Sequence, residues 1–306
     1  LESNPLSINI AGIKLDNPTM LASGVLGYSA ESFKRVIKGG AGAVVTKSVG
    51  LEPRVGYPNP TVVQAESGII NAMGLPNPGI NYFTEEIKFT KTIMHEPLIV
   101  SVFGYSAEEY AEVAKKAVEA GADAVELNVS CPHVKQTGSE IGTNPKILHE
   151  VVSAVKAQIK KPLIVKLSPN VSDITEIAQV AVKAGADALT AVNTLKAIAI
   201  DPETQLPILS NIRGGLSGPA MKPVALRCVY DLAEKVDVPI IGCGGVSDWR
   251  DAVEFFLAGA CAVQVGTAIA MEDIPVFKNI TRGVESYLRK KHARSVKDIV
   301  GLSHRK

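Results

Sequence analysis

The sequence is short of cysteine, of long apolar runs and of net charge, and each shortage excludes something. Its four cysteines (Cys131, Cys228, Cys243 and Cys261) form no Cys-x-x-Cys pair and no disulfide-like spacing. That excludes a disulfide scaffold and any metal or iron–sulfur centre built from this chain, and fits a reducing cytoplasm. No apolar run approaches the ~20 residues of a membrane span. The first residues, Leu1 to Pro5, lack the charged and apolar regions of a secretory leader. A formal net charge of +1 gives no global attraction to nucleic acid or to an anionic membrane. What is present is material for a core: 46% of residues are hydrophobic and 21% charged, the balance of a globular chain. The 306 residues suit one α/β domain over 1–306, since a (β/α)₈ barrel takes about 250. The locally basic stretch 289–306 reads as a solvated terminal helix.

A short device recurs: the end of an amphipathic helix, then Ala and Gly, then an apolar run. It appears at 38–48, 119–130, 183–193 and 257–266. Gly40, Gly121, Gly185 and Gly259 fall where a helix end needs a left-handed residue. The apolar runs read as parallel strands buried on both faces. Strands entered through proline come at 96–104, 161–169 and 238–246, and a first at 17–24. The count reaches about eight, the number that closes a barrel. Ser106, Ser172 or Asp173, and Ser247 are the expected N-caps of intervening helices. The fold class is therefore α/β, a single-domain (β/α)₈ TIM barrel.

Nearly every strand ends in a residue capable of chemistry: Ser23; Lys47 and Ser48; Asn128, Ser130 and Cys131; Lys166; Asn193 and Thr194; Gly244 and Gly245; Gly266 and Thr267. Barrel active sites lie at the C-terminal ends of strands, so these residues are expected to converge on one mouth. The glycines closing the last two strands suit a phosphate, although the run after Gly242 is not a dinucleotide fingerprint because Ser247 stands at its third glycine. Lys47 and Lys166 each lie among apolar neighbours, and a buried lysine is costly unless it meets an anion or loses its proton. Their functional readings are an electrostatic partner for a reduced flavin or a Schiff base. The plainer reading is an ion pair with a barrel carboxylate, but neither strand carries an obvious acidic partner, Glu126 being the nearest. Cys131 precedes Pro132 and a polar loop, 133–144, with the character of a lid. Its thiol reads equally as a nucleophile, a base or an inert filler. Cys228, Cys243 and Cys261 read as filler.

With these residues in view, the sequence resembles the class 1 dihydroorotate dehydrogenases over almost its whole length. The resemblance rests on VTKSV (45–49), NAMGLPNPG (71–79), ELNVSCPHV (126–134), VKLSP (165–169), AVNT (191–194), GGLSGPA (214–220), IGCGGV (241–246) and VQVGTA (263–268). It implies FMN held by Ser23, Lys47, Ser48, Asn128, Lys166, Val192, Gly218, Gly244, Gly245, Gly266 and Thr267. It implies a dihydroorotate site made by Lys47, Asn71, Ala72, Met73, Gly74, Leu75, Asn128, Asn193 and Thr194, with Asn77 ranked lower. Cys131, as thiolate, would take a proton from C5 of dihydroorotate while C6 reduces flavin N5, and Lys166 would stabilise charge on the reduced flavin. Cysteine as base, where class 2 enzymes use serine, and the missing membrane anchor both point to class 1. The lid and overall pattern resemble the B type, in which FAD, a [2Fe–2S] cluster and NAD belong to a second subunit, in a heterotetramer around a catalytic homodimer. His133 departs from the pattern, which has Asn after the Cys-Pro pair. The alternatives are the A type, which uses fumarate; a flavin barrel acting on another dihydropyrimidine; a Schiff-base aldolase using Lys166; and a non-catalytic barrel serving in an assembly.

Overall fold

The computed structural model describes residues 4–130 and 141–305. Eight parallel strands close into a barrel in chain order: β1 (Thr19–Leu21), β2 (Ala43–Val45), β3 (Leu98–Val102), β4 (Ala124–Asn128), β5 (Leu163–Leu167), β6 (Ala188–Ala191), β7 (Ile240–Cys243) and β8 (Ala262–Val265). An α-helix follows each strand. The recurrent device behaves as its composition requires. Gly40, Gly121, Gly185 and Gly259 all have φ between 105° and 119°, a region costly for any residue with a Cβ. Ser106 caps Ala107–Glu119 and Asp173 caps Ile174–Lys183. Trp249–Ala258 is capped by Asp248 rather than Ser247. The carboxylate at 248 reaches the backbone N–H groups of Arg250 and Asp251, and Asp251 closes the capping box in return.

The barrel interior is layered. Near the strands' N-terminal ends Met20, Ala43, Ile99, Ala124, Ile164, Ala188, Ile241 and Ala262 form an apolar plug with Ile10, Ile13 and Leu15. The last three come from an antiparallel hairpin, Ile8–Ile10 with Ile13–Leu15, which covers that end. Above the plug the inward side chains turn polar, with Glu126, Thr190 and Gln264 buried. The larger core lies between strands and helices.

Two features depart from the sequence reading. Segments 51–79 and 195–217 carry a four-stranded antiparallel sheet, Leu195–Ile198, Arg213–Ser217, Gly68–Asn71 and Val62–Ala65, strands that the sequence reading does not include. The basic C-terminus is not a solvated helix. The last helix stops at Lys290 and two short 3₁₀ turns follow. Val296 and Ile299 are buried there, and His304 stacks on Tyr230 at 3.9 Å between ring centroids. Apolar residues at 296 and 299 tie this stretch down despite its charge.

Candidate active site

The C-terminal ends of the strands open into a cavity of about 400 Å³, within the range of small-molecule sites. The antiparallel sheet walls it on one side through Val62, Ile69, Asn71 and Ser217. Of the residues expected at the mouth, Ser23, Lys47, Ser48, Asn71, Met73, Leu75, Asn128, Lys166, Val192, Asn193, Thr194, Gly218, Gly244, Gly245, Gly266 and Thr267 all line it. Ser130, Ala72 and Gly74 do not. Ala72 packs with Ile70 and Leu209 beneath the sheet, and Gly74, at φ 75°, sits against Tyr57. Cys131, His133 and the lid through residue 140 lie outside the described residues.

One wall is a chain of hydroxyls and amides. Ser48 and Ser101 hydroxyls lie 2.8 Å apart, and Asn128 Nδ2 donates to Ser48 Oγ at 3.0 Å. Asn193 Nδ2 donates to Asn128 Oδ1 at 3.1 Å, and Thr194 N–H donates to Asn193 Oδ1. This ordering holds two amide side chains in a set orientation at the mouth. Lys47 stands over the Tyr28 ring, 4.6 Å from its centroid. Burial pushes its ammonium below the usual lysine value. Asn77 is not a wall residue: its Oδ1 accepts from Gly50 and Gly79 N–H and its Nδ2 donates to Leu75 O. Its oxygen and one of its N–H donors thus go into shaping the 71–79 loop, which Arg54 Nε also ties down through Gly74 O.

The opposite end is built of glycine. Gly218, Gly244 and Gly245 have φ of 99°, 126° and 80°. A Cβ on Gly245 would come within 3.0 Å of Lys222 backbone, whereas one on Gly266 would meet only Ala22 Cβ at an ordinary 3.4 Å. Thr267 Oγ1 donates to Ser217 Oγ at 2.8 Å beside them. The result is a site with unsubstituted backbone and hydroxyls at one end and amides with a cation at the other, fitted to a long ligand carrying an anionic group.

Lys166 corrects the sequence reading. Its partner exists: Nζ lies 3.7 Å from Glu126 Oε1. In the β4–β5 register Asn128 stands opposite Lys166, and Glu126, two residues earlier on the same face, points inward beneath it. Burial is the largest influence on Lys166 and disfavours its charge, yet Cys243 and Glu126 together raise its pKa above the usual value. Burial also pushes the Cys243 thiol up, which leaves the Glu126 carboxylate as the anion that matters. Cys243 lies in the barrel interior, as expected, and there it lines the cavity beside Lys166. Gln264, Ser101 and Ser217 were also missed. A polar residue at an inward position of an otherwise apolar strand, as in AVQV (262–265) and LIVSV (98–102), was the available signal.

Comparison with known proteins agrees with this architecture. The sequence profile of the family described as dihydroorotate dehydrogenase matches residues 5–288. A Pyrococcus abyssi protein named dihydroorotate dehydrogenase B (NAD(+)), catalytic subunit, is 54% identical over 298 residues, covering 97% of this chain and 99% of its own. Proteins of the same name from Methanothermobacter thermautotrophicus and Methanocella arvoryzae are 53% and 51% identical, each alignment covering 98% of both chains. A crystal structure of the Eimeria tenella dihydroorotate dehydrogenase in complex with ferulenol superposes with a TM-score of 0.85 at 24% identity, over 100% of this chain and 90% of that one; it shares the fold. This chain belongs to the dihydroorotate dehydrogenase family.

Proposed function

We propose that this chain is the FMN-bearing catalytic subunit of a B-type dihydroorotate dehydrogenase, which oxidises dihydroorotate to orotate in pyrimidine biosynthesis. The observation that carries the reading is the two-ended cavity. A dihydropyrimidine with a carboxylate needs one cation and side chains that both donate and accept. Lys47, Asn71, Asn128 and Asn193 supply these at one end. FMN fits the remainder, because the positive φ at Gly218, Gly244 and Gly245 exposes backbone without Cβ atoms where a phosphate needs N–H donors. When bound, FMN supplies the two-electron acceptor. The chain's own residues do the rest. Lys47 and the amides hold the substrate, Lys166 presents positive charge, and Cys131 removes the proton from C5. A Schiff-base role for Lys166 is disfavoured by the Glu126 ion pair, since that chemistry needs a neutral amine.

In the full reading electrons leave through a partner carrying FAD and a [2Fe–2S] cluster to NAD, in the cytoplasm, with the catalytic subunits as a homodimer inside a heterotetramer. The words "catalytic subunit" and "NAD(+)" in the relatives' names support a second subunit and an NAD link. Among the described residues no helix is long and apolar enough to cross a membrane. The test is anaerobic mixing of the FMN-loaded chain with dihydroorotate or dihydrouracil. Rapid bleaching of flavin absorbance by dihydroorotate alone is expected, and equal bleaching by dihydrouracil would refute the substrate assignment. Co-purification of an iron–sulfur flavoprotein from the native host tests the partner.

Two further results follow from the geometry. Because burial lowers the Lys47 pKa, its charge is lost at lower pH than an ordinary lysine's. Affinity for the substrate carboxylate is full below that lowered value and falls as pH rises through it. KM for dihydroorotate should therefore climb on the alkaline side, with kcat less affected; a flat KM would count against Lys47 as the carboxylate's partner. The glycines should separate fold from site. Gly245→Ala meets both positive φ and Lys222 backbone, and should cost about 1–2 kcal/mol of stability in urea denaturation. Gly266→Ala should leave the denaturation midpoint unchanged and weaken FMN binding to the apoprotein, because its methyl enters the cavity only. Equal effects of the two on stability would contradict the assignment.

A further inference from the structure

Between the apolar plug and the cavity, the inside of the barrel holds a closed polar cluster. Lys166 Nζ donates to Gln264 Oε1 at 2.9 Å and lies 3.7 Å from Glu126 Oε1. Gln264 Nε2 donates to Glu126 Oε2 at 2.6 Å, and Thr190 Oγ1 donates to the same oxygen at 2.9 Å. These contacts join β4, β5, β6 and β8 across the barrel.

As a packing device this cluster is a poor choice. Glu126 is 0% exposed, and its Oε1 accepts no hydrogen bond. Burying a carboxylate is costly, and apolar residues of similar volume usually stabilise a core at least as well. Barrel layers are ordinarily filled by branched apolar side chains. Nor is Glu126 a ligand residue, because it is absent from the cavity wall, whereas both of its long partners, Lys166 and Gln264, are on it. Among the described residues, the side-chain polar contacts of Glu126 thus run toward the two side chains that face the cavity, or steady that arrangement through Thr190.

We propose that Glu126 is a positioning residue for the flavin: with Gln264 as the bridge, it holds Lys166 as an ammonium ion at the cavity wall, so that the site favours reduced over oxidised FMN. This rests on the flavin reading above. Among the described residues the titratable groups that act on Lys166 are Glu126 and Cys243. Cys243 is a buried thiol whose neutral form is favoured, so Glu126 is the counter-ion. Gln264 contributes by geometry: its carbonyl faces Lys166 and its amide faces Glu126, so it cannot turn without losing both bonds.

The test is the midpoint potential of bound FMN, measured by dye equilibration. Glu126→Gln keeps the shape and removes the charge. It is expected to bind FMN and to lose at least about tenfold of the preference for the reduced form, a potential lower by about 30 mV for a two-electron couple. In a Lys166→Met background the same substitution is expected to cause no further shift, a result that a purely structural role would not produce. An unchanged or raised potential in Glu126→Gln, or an equal shift with and without Lys166, overturns the proposal. Should Glu126→Gln fail to fold, Glu126→Asp keeps the charge but withdraws it by one methylene; a smaller fall is then expected, and a wild-type potential overturns the proposal. A wild-type chain that takes up no FMN defeats the flavin reading and this inference with it. A yellow chain whose Gln variant has the wild-type potential defeats this inference alone.

Discussion

Replacing Cys131 by alanine is expected to leave the chain yellow with FMN and to lower dihydroorotate oxidation by about 10²–10⁴-fold, the usual contribution of a positioned general base. Cys131 directly follows Ser130, whose hydroxyl is buried and whose N–H donates to Asn128 Oδ1. Asn128 ends β4 and lines the cavity, so the chain passes the mouth three residues before the thiol. Alanine removes the proton acceptor without touching Gly244, Gly245 or Gly266, so flavin binding should survive. Single-turnover reduction by dihydroorotate is the measurement, with flavin absorbance as the control for loading. A serine variant should recover part of the rate only at higher pH, since a hydroxyl yields its proton less readily than a thiol. Reduction of the alanine variant at near the wild-type rate would remove Cys131 from the mechanism.

Lys166→Met is expected to have the largest effect on stability. Lys166 is 5% exposed and Glu126 wholly buried, so the substitution strands a carboxylate whose Oε1 already lacks a hydrogen bond. Leaving one member of a buried ion pair unpaired typically costs about 3–5 kcal/mol. Adding Glu126→Gln should recover most of that loss, because it removes the unpaired charge while keeping an acceptor for Thr190 and Gln264. Urea denaturation of the two single variants and the double variant gives the coupling directly. Additive losses would mean that the 3.7 Å approach carries no energetic pairing. The recovered double variant should still have a lowered flavin potential, so stability and electron affinity can be read separately.

How much of this was legible beforehand follows from the range of each determinant. The barrel rests on patterns within ten or twelve residues: a helix end, a glycine such as Gly121 or Gly259, then a strand buried on both faces. Local chemistry sets these, and one chain suffices to read them. The mouth was legible for a related reason. Parallel strands in a barrel all end at one face, so polar residues closing β2, β4, β5, β6 and β8 must meet there whatever the details. The antiparallel sheet was not legible, because Gly68–Asn71 pairs with Arg213–Ser217 across more than 140 residues, and neither segment alternates strongly. Asn77 looked like a ligand residue because a sequence does not show that backbone N–H groups at 50 and 79 will use up its oxygen.

By itself, then, the sequence determined the strand–helix repeat and most of the residues at the mouth. Only the tertiary structure decided what those residues do to one another. Lys166 lies 98 residues from Gln264 in the chain and Gln264 lies 138 from Glu126, so no local pattern links them. Barrel closure brings three strands to a common axis, and the period of two along each strand selects which side chains point inward. In the low-dielectric layer so formed, a lysine that read as unpartnered acquires a counter-ion, and a cysteine that read as filler comes to lie beside it.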